Sequence, residues 1–75
     1  MITLNNTQIN CEYIITDVKA ETELKYRFYD LGIHKGAKIK RLKSSPLGDP
    51  VSYLAKETVI AIRSIDAEKI EVEPL

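Results

Sequence analysis

The chain has 75 residues, 44% of them hydrophobic and 29% charged, with a formal net charge of zero. That length makes one domain over residues 1–75 whose small core leaves little room for an internal catalytic cavity, which favours a binding module over an enzyme. One cysteine excludes an intramolecular disulfide, no apolar run reaches the roughly 20 residues that span a bilayer, and "MITLNNTQIN" lacks the parts of a secretory signal, so a cytoplasmic setting is expected.

Residues 8 to 18, "QINCEYIITDV", alternate at Ile9, Cys11, Tyr13 and Ile15. This predicts a strand with one buried face and places Cys11 in the core as a small side chain. In "TELKYRFYDLGI" the period changes, and Leu24, Phe28 and Leu31 recur on one side of a helix near residues 23 to 31. Thr22 is the expected N-cap, and Gly32 the left-handed terminator that lets Ile33 pack back on Phe28. Tyr26 and Tyr29 flank that apolar line, where tyrosines cover a core edge with the hydroxyl in water or, exposed together, form a contact patch.

Gly36 suits a type II turn in "HKGA". In the strand "AKIKRLK" the spacing of Ile39 and Leu42 predicts a bulge or bend near Arg41. Two further short strands, residues 51 to 55 and 58 to 63, reverse at Lys56 and Glu57. "SIDAEK" suits one helical turn, and "IEVEP" a last strand with Ile70 and Val72 inward. Tight connections from Ala37 onward predict a mainly β fold, a partly closed antiparallel barrel of about five strands, with the helix after the first strand plugging one end.

"SSPLGDP", residues 44 to 50, is the least ordinary stretch. Pro46 and Pro50 fix their own φ and bias Ser45 and Asp49 towards extended geometry, so the chain must reverse around Leu47 and Gly48. The Asp49 carboxylate can fold onto a nearby backbone N–H and stiffen the exit. Such a loop serves either as a connector or as a rigid contact surface with Leu47 in view.

Side chains for catalysis are sparse. The one histidine, His34, follows the helix end as an exposed turn residue, Cys11 sits in a strand, and Glu71 and Glu73 point to solvent with no apolar pocket around them. No pair among His34, Cys11, Asp30 and Asp49 has the spacing of a compact metal-ligand pair, so no tight, closed metal site and no cofactor is expected. Lys35, Lys38, Lys40, Arg41 and Lys43 form a basic run, and Asp66, Glu68, Glu71 and Glu73 an acidic end. These are expected to lie side by side and neutralise each other, or to be plain solvated faces; the alternative is a basic stripe facing nucleic acid or an anionic membrane surface.

"YRFYDLGIHKGAKIKRLKSSPLGDPV" resembles the signature of the FeoA family, the ferrous iron transport protein A family. Arg27, Leu31, Gly32, Gly36 and the run Pro46 to Pro50 carry the likeness in order, and "IAIR" and "AEKIEVEPL" extend it over residues 8 to 75. Phe28, Lys35 and the glycine-free turn at Lys56–Glu57 depart from the common pattern. The resemblance implies an SH3-like small barrel and a non-enzymatic, cytoplasmic accessory protein of bacterial ferrous iron uptake. Its implied partner is a FeoB-like permease, at the cytoplasmic GTP-binding domain, with membrane contact only through that partner. It leaves room for weak self-association. The contact residues it suggests are Pro46, Leu47, Gly48, Asp49 and Pro50, with Arg27 and Tyr29 from the helix. Arg27 and Arg63 are candidates in principle for reaching a phosphate, or for holding the fold's own carboxylates. Two other readings share the barrel: an interaction domain of the iron-dependent-repressor type, and a nucleic-acid-binding module using Lys38 to Lys43. The second lacks the exposed aromatics that base stacking wants, so no nucleic-acid partner is expected.

Overall fold

A computed structural model of the protein describes residues 2–75. Six strands form one antiparallel sheet: β1 (Ile2–Thr3), β2 (Glu12–Val18), β3 (Lys38–Ser44), β4 (Val51–Ala55), β5 (Thr58–Ile62) and β6 (Ile70–Pro74), in the order β1-β6-β2-β3-β4-β5. Helix α1 (Thr22–Asp30) follows β2, and the single turn α2 (Ser64–Ala67) joins β5 to β6. The five expected strands are joined by a sixth, the two-residue β1, which pairs with β6 and leads into a 3-10 turn at Leu4–Asn6. That turn buries Leu4 completely, and no periodic pattern announces it.

One core joins the inward faces of the sheet. Tyr13, Ile15, Ile39, Tyr53, Ile60, Ile70 and Val72 meet Phe28 of α1 and Ala67 of α2. β2 carries an irregularity between Ile15 and Asp17, which shifts the pleat by one residue and turns Val18 inward. The predicted irregularity near Arg41 lies between Arg41 and Lys43 in the β3–β4 ladder.

The first strand begins later than its alternation suggests. Asn10 adopts φ 65°, so residues 8 to 10 turn away from the sheet and leave Ile9 half in solvent. Cys11 is correspondingly half-buried at the edge of the core rather than inside it. Glu21, not Thr22, is the N-cap of α1, because Glu21 is the last residue with extended backbone and Thr22 is already helical. Its side chain makes no capping hydrogen bond.

The other end of α1 follows the Schellman pattern. Gly32 has φ +88°, its N–H donates to Tyr29 at 3.0 Å, and the Ile33 N–H donates to Phe28 at 2.8 Å. Ile33 and Phe28 are both buried. Leu31 lies beyond the helical repeat as the C-cap and is 45% exposed, so the apolar side of α1 reduces to Phe28 and half-buried Leu24. Next, the Ala37 N–H donates to His34 at 3.0 Å with Gly36 at φ +91°, the expected type II turn.

Candidate functional site

The loop from β3 to β4 is closed at its base by the Ser45 N–H donating to the Pro50 carbonyl at 3.1 Å. The Gly48 N–H donates to the Ser45 carbonyl at 2.8 Å, so Pro46 and Leu47 are the central residues of a β-turn. Gly48 follows at φ +87°, and the Asp49–Pro50 peptide is cis. One oxygen of Asp49 accepts from the Ser64 N–H at 2.8 Å and the Ser64 hydroxyl at 3.1 Å. The carboxylate does fold onto a backbone N–H, but that N–H lies across the fold at the first turn of α2. The loop is thus bonded at its base, its turn and its exit, and Leu47 at its tip is 94% exposed.

Arg63, next to Ser64, turns its guanidinium onto Asp66, with N–O distances of 3.2 and 3.3 Å. It shares a groove of about 310 Å3 with Arg27, Leu24, Leu31 and Ala61, between α1 and β5. Arg27 makes no ion pair among the described residues. The loop exit at Asp49 and the basic end of this groove are therefore neighbours through Ser64 and Arg63. Tyr29 is not part of that grouping. Two residues along a helix rotate it by about 200°, and Tyr29 meets His34 instead, ring centroids 4.9 Å apart.

His34 is half-buried by that contact, not the exposed turn residue expected, and its Nδ1 lies 3.1 Å from the Lys35 carbonyl oxygen. Nearby Asp17 has its carboxyl held below the usual range by the Lys19 ammonium at 3.2 Å and by the Val18 N–H. Lys19 is raised by the same contact. Tyr26 and Tyr29 are both well exposed, so neither seals the core edge. Among the described residues no group of three or more His, Cys, Asp or Glu side chains gathers as a metal site, and no helix is long and apolar enough to cross a membrane.

The basic run and the acidic end do not neutralise each other. β2 lies between β3 and β6 in the sheet, and the ion pairs among the described residues are Asp17–Lys19, Asp66–Arg63 and Asp66–Lys69. Arg41 is withdrawn from the run altogether. Its Nη1 donates to the carbonyls of Asn5 at 3.2 Å and Thr7 at 2.8 Å, tying the N-terminal turn to β3. Sequence reasoning missed this structural duty because the two carbonyls lie more than thirty residues away.

Residues 2–74 match the family of the FeoA domain. The chain belongs to the FeoA family. That family membership makes it an accessory protein of ferrous iron transport. The FeoA protein of Chlorobium tepidum is 34% identical, with a TM-score of 0.92 over 99% of this chain and 70% of that one. Stenotrophomonas maltophilia FeoA, solved in complex with zinc and described as a procaryotic SH3 domain protein, is 22% identical with a TM-score of 0.83 over 97% and 91%. The manganese-activated repressor ScaR is 22% identical with a TM-score of 0.86 over 99% of this chain and 35% of the repressor, a likeness of fold alone. No match is found among curated proteins. The sheet described above is thus the SH3-like barrel of this family, with Pro46 to Pro50 as the loop between its third and fourth strands.

Proposed function

We propose that this FeoA chain is a non-catalytic docking module that works in the cytoplasm on the GTP-binding domain of a FeoB-like permease and supports its transport activity. The Pro46–Pro50 loop supplies the contact, with Arg27 of α1 joined to it through Arg63 and Ser64, and Tyr29 as a separate contact on another face of α1. The observation that carries the reading is Leu47, 94% exposed on a loop that is hydrogen-bonded at its base, its turn and, through Asp49 and Ser64, its exit. An apolar side chain presented on a stiff support loses little conformational freedom on binding, so burying it favours association by about 1–3 kcal/mol. Gly48, at positive φ, keeps the turn tight, and Asp49 acts through Ser64 rather than by touching the partner. Family membership supports the choice of partner.

Leu47→Glu tests this, with thermal unfolding and binding to the permease's cytoplasmic domain measured on one sample. The melting temperature should stay near that of the parent chain while affinity and cellular iron uptake fall. Full affinity in a folded Leu47→Glu protein would remove the loop from the interface.

A further inference from the structure

The outer edge of β5 is open. β5 ends the sheet and, among the described residues, pairs with β4 alone. In a two-residue hairpin the pairs alternate, so Ala55–Thr58, Tyr53–Ile60 and Val51–Ile62 exchange hydrogen bonds. The N–H and C=O groups of Val59 and Ala61 consequently point away from β4, and neither finds another backbone partner among the described residues. Sheets commonly blunt such an edge with lysine, proline, a bulge or a very short strand. "TVIAI" has none of these, and Val59 is 63% exposed.

This edge faces the groove of about 310 Å3 whose opposite wall is Leu24 and Arg27 of α1 and its C-cap Leu31. One end of the groove is basic. Arg63 there already meets Asp66, whereas Arg27 has no ion pair among the described residues. We infer that the slot between β5 and α1 takes an extended segment of another protein as an added strand. Its backbone bonds to Val59 and Ala61, its alternate apolar side chains lie against Leu24, Leu31 and Ile60, and a carboxylate at one end sits between Arg27 and Arg63. The open edge of β5 accepts one further strand, and Arg27, without an ion pair among the described residues, fits an extended segment that carries a carboxylate. The inference stands apart from Leu47, and the two can fail separately.

The test is selection of a phage-displayed random peptide library on the whole chain, followed by calorimetry on the best synthetic binder. Enriched peptides should alternate apolar residues and carry Asp or Glu at one end, and binding should weaken with salt. N-methylating the peptide amides at alternate positions should abolish binding in one phase and spare it in the other, because only one set faces β5. Ala61→Pro removes an outward N–H and no β4–β5 bond, so it should keep the fold and lose the peptide. Arg27→Glu should weaken binding about tenfold or more. Failure to enrich any peptide over an Ala61→Pro control overturns the proposal. So does a selected binder indifferent to the phase of N-methylation, a result that stands even if Ala61→Pro does not fold. Peptide affinity unchanged by Arg27→Glu overturns the assigned carboxylate contact and with it the proposed occupant.

Discussion

The side-chain stem of Lys56 lies over the α-carbon of Gly32, so that a Cβ built on this glycine would stand 2.8 Å from Lys56 Cδ and 3.0 Å from Cγ. The residue that ends α1 is therefore also the one that admits the β4–β5 hairpin. Gly32→Ala meets two penalties: a left-handed φ of +88° and a crowded neighbour. We expect a loss of about 2 kcal/mol in urea denaturation, of which about 1–2 kcal/mol is the left-handed backbone. Lys56→Ala in the same background should return only the crowding part, which a double-mutant cycle isolates.

The hairpin itself is a place to gain stability. Lys56 and Glu57 have φ of 51° and 62°, both in the left-handed region that a type I′ turn requires and that side chains disfavour. Glu57 is exposed, and Glu57→Gly should raise stability by about 0.5–1 kcal/mol. Lys56 is the wrong position to change, since its stem covers Gly32. A denaturation midpoint that fails to rise would mean the turn is not strained at Glu57.

Arg41 fastens the N-terminal turn through two carbonyls, with its Nε buried and without a partner among the described residues. Arg41→Ala should cost about 1.5–3 kcal/mol, the range for hydrogen bonds that involve a charged group. Arg41→Lys should recover little, because a single ammonium lacks the planar fork. Amide hydrogen exchange across Leu4–Thr7 should quicken in both variants before the rest of the fold responds.

Tyr53 gives the fold an alkaline limit. Burial raises its phenol above the ordinary 10.0, Arg41 opposes this, and Asp49 adds to it. A raised folded pKa means stability that is intact below about pH 10 and lost as pH climbs through the folded value. Tyr53→Phe gives up the hydroxyl bond to the Leu4 carbonyl at 3.3 Å, about 1 kcal/mol at neutral pH. Its stability should then fall less steeply than the parent's above pH 10, so the two melting curves converge there.

The sequence alone determined the features whose causes are local. Leu24 and Phe28 set the helical period, and Gly32 with Ile33 ended it, because a Schellman turn is decided within a few residues. Likewise the offset of Ile39 and Leu42 announced the irregularity in β3, and Leu31, Gly32, Gly36 and Pro46–Pro50, in order and at their spacing, pointed to the family. Tertiary structure decided whatever depends on a distant group. Alternation at Ile9 and Cys11 looked like strand until Asn10 turned the backbone, and Leu31 kept the helical spacing after the helix had ended. Placing β2 between β3 and β6 separated two oppositely charged segments that composition alone had brought together. Asp49 found Ser64, Arg41 found Asn5 and Thr7, and Lys56 found Gly32, each across a long stretch of chain. Side-chain periodicity records which face of an element is apolar, but not which backbone group elsewhere stands within hydrogen-bonding reach; packing decides that.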